Sequence, residues 1–220
     1  MKALQNFQRN QHLLVVDALR YSLVLENKAF QSLLETLALI ESNDDGISIP
    51  DEELVLIAIR DSWQIIDFVH RIRGLISQAP GLPQKTPAVQ LFKRHTIDVE
   101  GFRNLYQHLN SSIAKIQGNT NPIMGVISWV FKDPSKSLSL NVGTGAEGLE
   151  VSSIAIDIHS GKFAQNLLFA AGKKEIDLEK LHLECVRLSN FLNSWLAELG
   201  HLKDEDLKSG VFRILIVPTA

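Results

Sequence analysis

The 220-residue chain has a single cysteine and no long apolar run. One cysteine, Cys185, excludes an internal disulfide and any cysteine-based zinc site. A membrane-spanning helix needs ~20 apolar residues, and no run in this sequence approaches that length. The amino-terminal segment has polar residues where a signal peptide needs an apolar block. These absences predict a cytoplasmic protein that does not associate with membranes.

Several catalytic signatures are also missing. The seven histidines include neither a His-x-x-x-His nor a His-Glu-x-x-His spacing, so we expect no metal site. The glycine-rich segment 143–148 lacks the lysine of a phosphate-binding loop and joins candidate strands, which indicates a turn. The sequence therefore predicts no cofactor.

Apolar residues recur at three- and four-residue steps over most of the chain, which is typical of amphipathic helices. Because a single straight first helix would reach ~57 Å, we expect a kink or break in it near Glu26–Lys28. Thr86-Pro87 has the pattern of a cap followed by a first-turn proline. The predicted helices cover residues 3–42, Pro50 to about Ser77, Pro87 to about Gln117, and Asp177–Leu199.

Between the third and fourth predicted helices, the apolar period shortens toward two, as in strands. The clearest alternation is Ile154, Ile156, Ile158. The pattern predicts an antiparallel meander or a pair of hairpins, and the apolar tail 211–217 predicts an added edge strand. The candidate strands are 126–131, 137–142, 151–158 and 163–170.

The predicted fold class is α+β, mainly α. We expect an antiparallel bundle of about four helices, with a small antiparallel sheet inserted before the last helix and a carboxy-terminal edge strand. The length suits a single domain over residues 1–220. Within it, we assign 1–118 and 175–200 to the bundle, and 124–171 with 211–217 to the sheet.

Charge is unevenly distributed along the chain. The net charge is −3, yet residues 60–115 carry eight Lys/Arg against four Asp/Glu, a local charge of +4. Two interpretations are open. The segment is either an ordinary solvated face or a surface that binds phosphate groups.

The most informative residues lie in this basic segment, at 103–108 on the predicted third helix. Arg103 and His108 suit phosphodiester chemistry, which needs a fixed cation for the phosphate and a base for a hydroxyl proton. Asn104 is one turn from His108 and could orient its imidazole. On a helical wheel, Arg103 and His108 are about 140° apart. The alternative is that these side chains form the solvent face of an amphipathic helix.

The order Arg103, Asn104, three residues, His108 resembles the motif of the HEPN superfamily. The resemblance covers mainly residues 50–118, with 175–199 as a possible second stretch. It implies a metal-independent endoribonuclease with a site assembled across a homodimer. Arg103 would then stabilise charge on the scissile phosphate, His108 would transfer the ribose 2′-hydroxyl proton, and Asn104 would support them. Many members serve in toxin–antitoxin or phage-defence systems, which implies an antitoxin-like protein partner.

Other basic side chains are candidate RNA contacts. Arg60 and Arg71, with Asp67 and His70, could line a groove on the second helix, but an ordinary Asp67–Arg71 ion pair explains part of the same pattern. About two turns before the motif, a short basic run offers further phosphate contacts or a solvated patch; its members are Lys93 and Arg94.

A different class of function is also consistent with the sequence. The apolar tail Phe212–Val217 could present an exposed edge strand, and such a strand can pair with another chain. The alternative to a ribonuclease is therefore a non-catalytic helical-bundle protein that binds a protein partner.

Overall fold

The computed structural model describes residues 2–44, 50–79, 81–107, 121–133, 136–142 and 152–199, and the side chains of residues 13–196 within those ranges. This part of the chain contains five helices and four strands, so the predicted α+β, mainly α class is confirmed, with one helix more than expected. In chain order the elements are α1 (Lys2–Ser42), α2 (Glu52–Gln78), α3 (Pro87–His95), α4 (Val99–Gln107), β1 (Asn121–Val130), β2 (Ser137–Asn141), β3 (Leu167–Gly172), β4 (Lys174–Asp177) and α5 (Leu178–Leu199).

The helices pack on one another and on the central strands of the sheet. α1 lies along α2, α5 contacts α1 and α3, and α4 contacts α2. One hydrophobic cluster contains side chains from every helix and from β1, β3 and β4. Among the described helices, none combines the length and apolar character needed to cross a membrane.

The long first helix runs without a break from Lys2 to Ser42, so no interruption occurs near Glu26–Lys28. Its apolar stripe supplies Val16, Leu19 and Leu33 to the core, and the stripe continues on both sides of the expected break. Because α2 and α5 cover this stripe, tertiary packing stabilises a helix that is long for a compact fold.

At the starts of two helices, an aspartate side chain accepts a main-chain N–H of the first turn. Asp51 is the N-cap of α2 and accepts a hydrogen bond from the Glu53 N–H at 2.9 Å. Asp177 accepts one from the Lys180 N–H at 2.9 Å, where α5 begins. The predicted starts at Pro50 and Asp177 are therefore correct to within two residues.

The predicted third helix is wrong as a single element, because two short helices, α3 and α4, occupy its described part. Between them, the buried Thr96 donates its hydroxyl to the Phe92 carbonyl at 2.6 Å. The Arg73 guanidinium of α2 donates to the Lys93 carbonyl and to Thr96 Oγ1, and it also pairs with Glu100 at 2.9 Å. These contacts hold the end of α3 and the start of α4 in place of a continuous helix.

The four strands form one antiparallel sheet in the order β2-β1-β3-β4. This is a pair of hairpins, one of the two expected arrangements. The β1–β3 pairing has an irregularity between Asn121 and Val126, where Gly125 adopts a φ of +122°. The ring of Phe169 on β3 fills the space beside Gly125. The bulge therefore allows two neighbouring strands to pack closely.

Two strand assignments need correction. Residues 152–158 form no strand but only the isolated bridge Ile156↔Phe163. Their alternation does not reflect burial on one sheet face, because Ile154 is buried whereas Ile158 is 94% exposed. β4 was not predicted, since Lys174–Asp177 is mostly polar. The expected tail strand 211–217 lies outside the described residues.

Candidate functional site

A cleft of about 600 Å³ lies between α2 and α4, and we call it the α2–α4 cleft. Its wall includes three of the basic residues singled out in the sequence. They are Arg60 and Arg71 of α2 and Arg103 of α4. The split between α3 and α4 sets the direction of α4 and thereby the position of Arg103 relative to α2.

Arg103 is held by three side chains from two helices. Its Nη1 donates to Nδ1 of His70 at 2.8 Å and lies 3.6 Å from Oδ1 of Asp67. With the Gln107 amide oriented so that its oxygen faces the guanidinium, Oε1 accepts from Arg103 Nε at 3.0 Å and from Nη2 at 3.1 Å. The side chain of Arg103 remains 33% exposed, so its guanidinium is both fixed and accessible from the cleft.

The hydrogen bond from Arg103 determines which nitrogen of His70 carries the proton. A guanidinium only donates hydrogen bonds, so Nδ1 of His70 must carry a lone pair and the ring proton must sit on Nε2. Partial burial lowers the pKa of His70 below its ordinary value, and the Arg103 charge lowers it further. Asp67 and Glu100 act in the opposite direction. His70 is therefore neutral near pH 7.

Asp67 lies between two arginines of the cleft. Its Oδ2 accepts from Nε of Arg71 at 2.8 Å, which is the i,i+4 pair that the sequence suggested. The Arg71 guanidinium also lies 5.8 Å from the centre of the Phe68 ring. Asp67 and Arg71 thus form an ion pair and also lie on the cleft wall, whereas His70 is not among the residues of that wall. The predicted RNA contacts of this stretch stay a prediction.

Arg60, also on the cleft wall, is anchored by its neighbour on α2. Its Nε and Nη2 lie 2.8 Å and 2.7 Å from Oδ1 of the buried Asp61. Asp67 lies beside Arg71 and Arg103, and Asp61 pairs with Arg60, so among the described residues the three arginines exceed their carboxylate partners by one positive charge. This surplus, together with the exposure of the arginine side chains, favours an anionic ligand.

Aromatic side chains form part of the same wall. Trp63 of α2 lies 5.3 Å from Tyr106 of α4, measured between ring centroids. The Tyr106 side chain is 59% exposed, and Met124, also on the wall, is 48% exposed. A flat, apolar group can therefore bind beside the arginines, as an unpaired nucleotide base does when it stacks on a protein aromatic ring.

Three further predicted site residues, all described, lie away from the cleft wall. Asn104 is exposed on α4, next to Arg103. Arg94 is exposed on α3, and Lys93 donates from Nζ to Oε1 of Gln84 at 2.8 Å. None of these three side chains lines the α2–α4 cleft. His108 lies outside the described residues.

Sequence reasoning placed His70 near a groove but missed its bond to Arg103. The two residues are 33 positions apart and lie on different helices, so no spacing rule connects them. It also missed Trp63 and Tyr106. The one available signal was that Trp63 lies three residues from Arg60 and four from Asp67, on the face of α2 that carries the candidate groove.

Comparison of the chain with protein-family models, with curated proteins and with solved structures gives no match. The resemblance to the HEPN superfamily therefore stays a prediction, carried by Arg103, Asn104 and His108.

Proposed function

We propose that the chain is a metal-independent endoribonuclease of the HEPN type that binds RNA in the α2–α4 cleft. The observation that supports it is the presence of three arginines, Arg60, Arg71 and Arg103, on the wall of one cleft. Phosphate groups bind arginine through charge and paired hydrogen bonds. The neighbouring Trp63 and Tyr106 offer rings to the bases of the same strand.

The proposed chemistry uses the 2′-hydroxyl of the RNA as the nucleophile. His108 takes the 2′-hydroxyl proton, the 2′-oxygen bonds to phosphorus, and the bond from phosphorus to the 5′-oxygen breaks. The 5′-oxygen takes a proton from solvent water and leaves as a hydroxyl, a 2′,3′-cyclic phosphate remains, and His108 returns its proton to the solvent. Arg103 stabilises the negative charge that grows on the phosphate oxygens, and Asn104 orients the imidazole.

The resemblance also supplies the proposed assembly and setting. A homodimer would bring two copies of Arg103 and His108 to one site. A role as the toxin of a toxin–antitoxin or phage-defence system, with a protein antitoxin, follows from the same resemblance. The exposed apolar side chains around the cleft, including Leu56 at 46% exposure, suit contact with a second chain.

A cleavage assay in the presence of a chelator tests the enzymatic proposal. The purified chain should cut RNA without metal and leave cyclic-phosphate ends, and His108→Ala should reduce the rate by about 100-fold or more. Lys162→Ala is a matched control, because it removes one charge from an exposed loop. An undiminished rate in His108→Ala would exclude His108 as the base, and an inert wild-type chain would contradict the proposed activity.

The second candidate is a non-catalytic bundle that binds a protein. The observation that favours it is the same apolar rim, formed by Leu56, Tyr106 and Met124. Light scattering of wild type and Leu56→Asp, together with the RNA assay, separates the candidates. A change of oligomeric state in a chain that neither binds nor cuts RNA would favour this second function.

A further inference from the structure

We propose that His70 is a positioning residue, which fixes the guanidinium of Arg103 for phosphate binding while taking no part in proton transfer itself. The inference rests on the proposed function, since it assigns Arg103 to the phosphate. It adds a residue of α2 that lies outside the Arg103–His108 motif, and it gives that residue a role distinct from that of His108.

The geometry of the pair supports a positioning role. The 2.8 Å contact joins Arg103 Nη1 on α4 to His70 Nδ1 on α2, so the hydrogen bond spans the two helices that form the cleft. With the amide oriented so that its oxygen faces the guanidinium, Gln107 accepts from Nε and Nη2 of Arg103. Three of the five N–H groups of Arg103 thus bond to described residues, and a fourth, on Nη1, lies beside Oδ1 of Asp67 at 3.6 Å. The second N–H of Nη2 has none of these contacts and can donate to a phosphate oxygen.

The same hydrogen bond excludes His70 as the base in this arrangement. A general base needs an unprotonated nitrogen facing the hydroxyl. The lone pair on Nδ1 is occupied by Arg103, and Nε2 carries the proton. His70 can therefore orient Arg103 but cannot accept a proton from the substrate without breaking that bond.

Burial and the charged groups around His70 maintain this state. Burial is the main factor that disfavours the imidazolium form, and the charges of Arg103 and Arg73 add to it, whereas Asp67 and Glu100 favour that form. A protonated Nδ1 would face the guanidinium as a second donor and would release it. Arginine loses considerable rotational freedom when it binds a phosphate, so a guanidinium that is already fixed binds more tightly.

A double-mutant cycle on RNA affinity tests the inference. All variants carry His108→Ala, so that the RNA stays intact. We expect His70→Leu to weaken binding by about 5- to 10-fold, and to have no further effect once Arg103→Ala is present. His70→Asn keeps an acceptor near the position of Nδ1 and should restore most of the affinity. The positioning role would be overturned if His70→Leu lowered RNA affinity equally in the presence of Arg103 and of Arg103→Ala. It would also be overturned if His70→Asn failed to restore affinity.

An NMR titration of His70 provides a readout that needs no RNA. In the wild-type chain, the imidazole should be the Nε2–H tautomer, with a pKa that rises when Arg103 is replaced by glutamine. If RNA fails to bind but this coupling is present, the proposed function is wrong, whereas the link between His70 and Arg103 holds. An Nδ1–H tautomer, or a His70 pKa that does not change on Arg103→Gln, would overturn the inference even if RNA is bound and cut.

Discussion

The indole N–H of Trp63 donates a hydrogen bond to the main-chain carbonyl of Met124 at 2.8 Å. This bond joins the wall of the α2–α4 cleft to the bulged start of β1. The Trp63 ring also packs edge-on against Phe169 of β3, with centroids 5.3 Å apart. The sheet therefore supports the aromatic side of the cleft, and the position of Trp63 depends on how closely β1 and β3 pack.

Gly125 should be the most sensitive position in this support. A Cβ added there would lie 2.4 Å from the buried Phe169 ring, and the φ of +122° is strained for any other residue. We expect Gly125→Ala to lower the free energy of unfolding by about 2 kcal/mol or more. Urea denaturation measures this loss. Gly161→Ala is the control, because its φ is also positive but open space surrounds it. Equal losses at both glycines would contradict the packing account.

Two arginines of α2, two positions apart, should differ in their contribution to stability. Arg73 is 12% exposed and holds the α3–α4 junction, whereas Arg71 is 59% exposed and pairs with Asp67. Replacing Arg73 with leucine leaves buried acceptors without a donor, which costs about 1–3 kcal/mol. The same change at Arg71 should cost about 1 kcal/mol or less. Thermal and urea unfolding of both variants measure the two losses in free energy of unfolding. A smaller loss for Arg73→Leu than for Arg71→Leu would refute the role of Arg73 in ending α3.

Burial of Glu26 should make stability fall as pH rises. Glu26 lies on α1, 3.2 Å from His182 of α5, and burial raises its pKa despite that histidine. A carboxyl group with a raised folded-state pKa contributes its full stability below its unfolded pKa. That contribution is lost as pH rises through the folded value, by about 1.4 kcal/mol per unit of difference.

Chemical unfolding of wild type and Glu26→Gln between pH 4.5 and pH 8 measures this effect. The stability of the glutamine variant relative to wild type should increase with pH over that window. The exposed Glu35→Gln serves as the control and should show no such trend. A relative stability of Glu26→Gln that stays constant with pH would contradict the expected linkage.

Helical periodicity identified most of the bundle because the apolar steps match burial. In α5, for example, Leu181, Cys185 and Leu188 are all buried, as their spacing predicts. The break between α3 and α4 could not be predicted in this way. It depends on Arg73, which reaches the Lys93 carbonyl from 20 residues away. Local patterns carry no information about such tertiary contacts.

The candidate site was only partly predictable, because local sequence patterns mark single residues and not the tertiary contacts between them. Arg103 was found because residue type and a known motif mark it in the sequence. The acceptors that fix it come from two helices, and His70 reaches it only after α2 and α4 pack together. The tail strand and His108 lie outside the described residues, so those expectations stay predictions.

Photocrosslinking tests the central claim, that RNA binds in the α2–α4 cleft, most directly. RNA carrying a photoreactive uridine would be irradiated with the His108→Ala chain, and mass spectrometry would locate the crosslinked residues. We predict crosslinks at Trp63, Tyr106 or Met124, which Arg103→Ala should weaken and Lys162→Ala should not. Crosslinks confined to α3, at Lys93 or Arg94, or to the loop around Lys162 would contradict the account.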